Sequence, residues 1–353
     1  MSKKQKLRIS FLLRGRGNAG STRSTMRAGN ELLARGHDVR IFYRNDTSGM
    51  RNRIRNNWLK LRYGFGNDWL LKFKGSSFPY NKLNATDFSP NELIVSMCAR
   101  TTFDMYKLPE DIGIKVFYCR GAELENQEQI LQTWRLPFAK IVTAAHLAEM
   151  IERETNQPVV GIAPNGVNTK EYFPVTPESS RKGVSAIFGW RTCKDPAFTI
   201  KVMQMLAQRL SGVPRYLFSN GKKPNGIEGI IFKRLPTVEQ ARTIFYNCKV
   251  WFLSSIEEGF GNPVLEAMAC GCAVVSTDCG GPGDIIEDGV NGFLVEVGNT
   301  ETMADKIELL YNDEQLRNHI CTNARKTVES YSWPRVVDKL EGYLISIYDN
   351  EHR

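Results

Sequence analysis

Leu7, Ile9, Phe11, Leu12 and Leu13 form a short, nearly unbroken apolar run, the pattern of a strand buried on both faces of a parallel sheet. A glycine-rich turn follows, then apolar residues at helical spacing over 21–34, stopped by Gly36 and His37. Residues 38–43 read as a second strand, so the opening is a βαβ unit with a right-handed crossover. Strand patterns recur at 93–97, 115–118 and 141–144. A second series begins after Pro164-Asn165-Gly166 and a loop at 174–181. Its strands fall at 184–189, 215–219, 229–233, 250–254, 273–276 and 292–296, with helical patterns at 196–211, 237–247, 263–270 and 300–311. Val336, Val337, Leu340, Leu344 and Ile347 predict a terminal helix over 333–348. The expectation is an α/β protein with two parallel sheets joined near residue 170. Ligands of such sheets sit at the carboxyl ends of the strands, which places the expected site in a cleft between the two domains.

A length of 353 residues favours two domains, and 42% hydrophobic with 24% charged residues excludes a disordered, collagen-like or integral membrane chain as the main reading. The apolar run at 9–13 is too short for a signal-peptide core. No run approaches the roughly 20 apolar residues of a membrane span. The expected location is the cytoplasm, either free or peripheral on the inner face of a membrane. None of the eight cysteines forms a C-x-x-C pair, so they are expected to pack as reduced, small hydrophobes.

Charge changes the picture. The net charge is +9, yet residues 1–100 alone hold 20 basic and 6 acidic side chains, so the remainder is net acidic. Within 44–73, Arg44, Arg51, Arg53, Arg55, Lys60 and Arg62 alternate with aromatic and aliphatic residues that include Trp58, Trp69 and Phe73. This mixture suits an anionic membrane surface or acceptor. It equally suits a solvated loop of an acceptor domain. No nucleic-acid motif accompanies it, and nucleic acid is not an expected partner.

Two stretches carry candidate chemistry. Residues 15–20 fit G-x-G-x-x-G between a strand and a helix, and Gly17, Gly20 and Ser21 are candidate phosphate contacts, since glycine lets backbone amides approach an anion. The second strand ends in Tyr43-Arg44-Asn45-Asp46 rather than in the acidic residue of a nicotinamide site, which suits a 2′-phosphate at best. A dinucleotide site, a substrate-facing phosphate loop and a structural turn all remain open. In the second stretch, the strand at 250–254 runs through Glu258-Gly259-Phe260-Gly261-Asn262 into a helix with Pro263 at its start and Glu266 eight residues after Glu258. Two carboxylates would hold sugar hydroxyls while amides at the helix start hold phosphate. A solvated Glu258 and a purely helix-stabilising Glu266 form the alternative.

The stretch 258–295, with Glu266-Ala267-Met268-Ala269, Gly280-Gly281 and Asp288-Gly289-Val290-Asn291-Gly292, resembles the family 4 retaining glycosyltransferases of GT-B fold. Glu258 and Glu266 meet that family's signature of two glutamates separated by seven residues. Weaker likeness extends to residues 20–37, to Pro164-Asn165-Gly166-Val167, and to Tyr331-Ser332-Trp333 with the last helix. The resemblance implies two Rossmann-like domains facing a central cleft: an acceptor domain at 1–168, a donor domain at 169–332, and a helix at 333–353 that crosses back. It further implies that Glu258 contacts the donor sugar, that Glu266 binds the ribose, and that Arg191 and Lys194 stabilise the departing diphosphate. Asp195 stands where the family commonly has glycine. Arg120 takes the place of a histidine near the reacting sugar, and Arg234 and Leu235 align with the loop that flanks the base.

The sequence contains no D-x-D, and no histidine has a histidine or cysteine partner at i+3 or i+4, so neither a metal nor another cofactor is expected. The implied partners are a nucleotide-sugar donor and a glycan, lipid-linked or small-molecule acceptor. Two other readings stand beside this one: an NADP-dependent oxidoreductase using the 15–20 loop, and a non-catalytic membrane- or polyanion-binding protein.

Overall fold

A computed structural model describes residues 5–16, 20–45, 68–121, 127–189 and 192–353. They divide into two compact units, residues 1–166 with 333–353, and residues 167–332.

The first unit runs β1 (Arg8–Leu13), α1 (Gly20–Ala34), β2 (Asp38–Arg44), β3 (Ser76–Tyr80), β4 (Leu93–Ser96), α2 (Ala99–Tyr106), β5 (Ile114–Cys119), α3 (Gln127–Trp134), β6 (Ala139–Val142), α4 (Ala145–Thr155) and β7 (Gly161–Ile162). Its strands are parallel in the order β3-β2-β1-β4-β5-β6-β7. The order reverses beside β1, whose Ile9, Phe11 and Leu12 are wholly buried. One polar face is also closed off here: Arg40 Nη2 bonds both oxygens of the buried Glu92 at 2.6 and 2.7 Å, and the Ser10 hydroxyl bonds the same carboxylate. A buried carboxylate needs such partners, because desolvating it alone is costly.

The C-terminal helix, Trp333–Glu351, returns to this unit through its polar as well as its apolar face. Arg35 Nη1 bonds Glu341 at 2.6 Å and Asp338 at 2.7 Å, while His37 Nε2 lies 2.9 Å from Glu341. The Leu7 amide donates to His37 Nδ1 at 3.1 Å, so the Nε2 nitrogen is the one that donates to Glu341.

The second unit contains β8 (Gly183–Ile187), α5 (Pro196–Arg209), β9 (Arg215–Ser219), β10 (Ile230–Arg234), α6 (Val238–Asn247), β11 (Cys248–Leu253), α7 (Asn262–Ala269), β12 (Ala273–Thr277), β13 (Phe293–Val295), α8 (Thr300–Asn312) and α9 (Glu314–Ser330). Its sheet is again all parallel, in the order β10-β9-β8-β11-β12-β13. Val184, Val250, Phe252, Ala273 and Val275 pack with Met203, Leu206 and Ile307 from α5 and α8 as its core. The central strands β11 and β12 are buried along nearly their whole length, which is why each reads in the sequence as a continuous apolar run.

The reading of residues 44–73 needs correcting where it is described. Trp69, Leu70 and Phe73 are buried rather than presented to an interface. The cations of Arg23 and Arg27, from α1, and of Lys72 lie 5.5, 5.9 and 4.9 Å from the Trp69 ring, so two of the three cations around this aromatic come from another element. Residues 46–67, with Arg51, Arg53, Arg55, Trp58, Lys60 and Arg62, lie outside the described residues. No helix among the described residues is long and apolar enough to cross a membrane. All eight cysteines are free thiols, and burial pushes those of Cys248, Cys270 and Cys279 up to about 12.

Candidate functional site

At the carboxyl end of β11 the chain turns through Ser254 and Ser255, both buried, toward Glu258. The backbone of Glu258 is pinned on both sides: its amide donates to Cys279 O at 2.8 Å, and its carbonyl accepts from the Gly281 amide at 2.9 Å. Gly261 then takes φ +93° to open α7, and Pro263 occupies the first turn, where its missing N–H costs nothing. The turn has no spare room. A Cβ on Gly281 would lie 2.2 Å from Phe260 Cα and 2.5 Å from its N and C atoms. The Glu258 side chain accepts from Ser255 Oγ at 2.8 Å, and the Lys194 ammonium bonds the same Oε1 oxygen. Glu257, beside it, has its carboxyl raised by burial and then by the charge of Glu258. Glu266 lies one turn into α7, half-buried.

Lys194 reaches Glu258 from the loop between β8 and α5. The Ile256 amide donates to Cys193 O at 2.8 Å, tying that loop to the one carrying Glu258. Asp195 caps α5, accepting from the Phe198 amide at 3.0 Å. Its backbone is in the left-handed region, φ 39° and ψ 73°, immediately before Pro196. A non-glycine residue held there carries strain on the order of 1–3 kcal/mol. Ser255 and Asp195 were not among the expected contacts. The sequence signal for Asp195 is its place directly before Pro196 at the start of a helical pattern, that of an N-cap; Ser255 has none beyond its place at a strand end.

In the first unit, Arg120 follows β5 and joins the opening turn of α1. Its Nη1 donates to Ser21 O at 3.1 Å and Thr25 Oγ1 at 3.3 Å, its Nη2 to Asn165 Oδ1 at 2.8 Å, and the guanidinium lies 4.8 Å from the Tyr118 ring centre. The structure thus brings Arg120 to Gly20 and Ser21, the start of the helix that follows the glycine loop. Among the described residues its partners are neutral, and Nε is buried without one. Burial lowers the guanidinium from its ordinary value, with Tyr118 opposing the shift.

Arg234 ends β10, and Leu235 follows in the left-handed region at φ 48°, its amide donating to Ser219 O at 2.7 Å. Gly17 and Arg191 lie outside the described residues. Arg44, the cation that a 2′-phosphate would need, is held by both oxygens of Asp104 at 3.0 and 2.8 Å, which removes the support for the dinucleotide reading.

The chain is 30% identical over 208 residues to a D-inositol 3-phosphate glycosyltransferase of Paenarthrobacter aurescens (strain TC1), a stretch of 52% of this chain and 51% of that protein. The chain spans about half the length of the curated relatives it matches. Its fold is shared with sucrose-phosphate synthase from Thermosynechococcus elongatus, at TM-score 0.72 and 16% identity over 97% of this chain and 100% of that one. It is equally similar to Anabaena HepE in complex with UDP and glucose, at TM-score 0.72 and 16% identity over 96% and 100%. Two Rossmann-like halves, each with a parallel sheet, make the architecture GT-B, and residues 225–327, which contain Glu258, Glu266 and the turn between them, match the family model of the glycosyl transferases group 1.

Proposed function

We propose that the chain is a glycosyltransferase that moves a sugar from a nucleotide-sugar donor to a glycan, lipid-linked or small-molecule acceptor, with retention at the anomeric carbon and without a metal. The observation that carries this reading is the arrangement around Glu258: a carboxylate at a strand end, bonded by Lys194 and Ser255, directly before the glycine turn that opens α7. The match over residues 225–327 and the glycosyltransferase named above support it. In this reading residues 169–332 bind the donor, residues 1–168 bind the acceptor, and residues 333–353 return to the acceptor domain. Glu258 orients the sugar and Glu266 the ribose, Lys194 and Arg191 face the diphosphate, and Arg234 with Leu235 flank the base.

The bond from C1 of the sugar to the diphosphate oxygen breaks, and the acceptor oxygen bonds C1 from the same face. Its proton passes to the departing diphosphate oxygen. Cations and amides facing that diphosphate stabilise the charge that develops on it. The absence of D-x-D from the sequence motivates the metal-free form.

A panel of nucleotide sugars incubated with the chain and a panel of glycan, lipid-linked and small-molecule acceptors in excess chelator tests the reading, with the anomeric configuration of the glycoside product read by NMR. Turnover with retention is expected. Turnover that appears only on adding magnesium or manganese overturns metal independence, an inverted product overturns retention, and no turnover of any donor with or without metal overturns the activity.

A cytoplasmic location, with attachment to an anionic inner membrane face through the cations of residues 44–73, belongs to the same proposal. With Trp69 and Phe73 buried, that attachment rests on charge, at about 1 kcal/mol per cation near the surface. Equal, negligible sedimentation with neutral and anionic vesicles at low salt would reject it.

A further inference from the structure

We infer that Asp195 is a positioning residue whose left-handed backbone aims the Lys194 ammonium into the Glu258 loop; the inference rests on the diphosphate role of Lys194 proposed above. Lys194 sits between two anchors. On one side Cys193 O accepts from the Ile256 amide at 2.8 Å, fixing that carbonyl to the loop that carries Glu258. On the other, Asp195 is fixed to α5 by Oδ1, which accepts from the Phe198 amide at 3.0 Å, and by its carbonyl, which accepts from Thr199 Oγ1 at 3.2 Å. Thr199 Oγ1 in turn lies 2.6 Å from Ser254 Oγ, at the end of the strand leading to Glu258. The direction in which the chain leaves Lys194 is therefore set by the φ and ψ of Asp195.

That conformation is disfavoured twice over. A residue with a Cβ avoids positive φ, and a residue before proline is pushed toward extended backbone rather than φ 39° and ψ 73°. Aspartate is among the few L-residues that tolerate the left-handed region, and it also supplies the N-cap oxygen that glycine lacks. The stem of Lys194 has a matching cradle, because a Cβ on Gly189 would lie 2.7 Å from Lys194 Cγ and 2.8 Å from its Cβ. A bare glycine under the stem, a strained joint behind it and a carboxylate at its tip all constrain the same ammonium. Strain kept at such a joint points to the geometry it enforces.

The test measures binding of UDP and of inorganic pyrophosphate by calorimetry, together with melting, for Asp195→Gly, Asp195→Asn, Asp195→Ala, Asp195→Val and Lys194→Met. Glycine keeps the backbone but drops the cap, so Asp195→Gly should melt lower and still bind within about twofold of the parent; Asp195→Asn keeps both. Asp195→Val should leave the left-handed region and lose about tenfold in affinity, approaching Lys194→Met. Asp195→Ala, which disturbs folding less, should fall between. A purely structural cap would lower the melting temperature and leave affinity unchanged in every folded Asp195 variant, and that result overturns the inference. If Lys194→Met weakens both probes while the alanine and valine variants bind normally, the positioning role alone fails. If Lys194→Met binds both probes as the parent does, the diphosphate reading fails and the inference falls with it.

Discussion

The Lys194 ammonium and Oε1 of Glu258 are bonded to one another across 64 positions of sequence, with only 28% and 12% of their side chains exposed. The two groups proposed to face the diphosphate and the sugar of one donor thus form an ion pair with each other. Under the roles proposed above, a donor diphosphate would compete with Glu258 for Lys194.

Glu258→Gln removes the competing charge. The variant should bind UDP more tightly, by about two- to tenfold, while sugar transfer falls because the charged, two-oxygen acceptor becomes a neutral amide with one acceptor oxygen. Calorimetry paired with a transfer assay checks the opposite signs. Weaker UDP binding in this variant would mean that Glu258 assists the nucleotide rather than competing with it.

Glu266 lies on α7 beyond the glycine turn, where the proposed role is to accept from ribose hydroxyls. Glu266→Ala should weaken UDP by the value of hydrogen bonds to a charged group, on the order of 1.5–3 kcal/mol, and leave pyrophosphate affinity unchanged. Equal losses for both probes would move Glu266 from the ribose to the charge balance of the site.

Much of the fold is legible where burial is uniform. β1, β11 and β12 are buried along nearly their whole length and mostly apolar, and their positions follow from the sequence within a few residues. The edge strand β3, Ser-Ser-Phe-Pro-Tyr, is exposed over most of its length and contains Pro79, so no apolar pattern marks it. α2 spans only eight residues and buries Thr101 and Thr102 beside Met105, and the buried stripe of the strongly polar α9 begins with Arg317, so apolar content alone marks neither. At the site, the spacing of Glu258 and Glu266 stands out because strand, turn and helix are contiguous there. The contact from Lys194 to Glu258 joins separate loops, and no local pattern encodes it. Trp69 misleads because cations beside an aromatic in sequence do not reveal whether the ring is buried, as it is here, with Arg23 and Arg27 of α1 and Lys72 near it.

The close approach of Gly281 to Phe260 gives a prediction on stability. The atoms that a Cβ would meet are backbone atoms of Phe260, so no rotamer change relieves the clash and the glycine turn itself must shift. Gly281→Ala should cost about 1–3 kcal/mol, the range for overpacking, measured by urea unfolding. UDP affinity should fall as well, because the Gly281 amide bonds Glu258 O at 2.9 Å and moves with the turn.

Glu257 supplies the prediction with a pH sign. Burial, and then the neighbouring charge of Glu258, raise its folded-state value above that of the unfolded chain. Between those two values the folded protein binds the extra proton, so stability falls as pH rises through the window and the penalty is complete above the folded value. Glu257→Gln removes the penalty. The variant should be more stable than the parent at pH 7 by less than about 1 kcal/mol, given the partial solvent screening of a half-buried group. The difference should shrink as pH is lowered below the ordinary carboxylate range, where both forms are neutral. Urea unfolding of both proteins from about pH 4 to about pH 8 gives the comparison. A stabilisation that grows toward low pH has the wrong sign for a raised carboxyl and would assign Glu257 a favourable ion pair in the folded state instead.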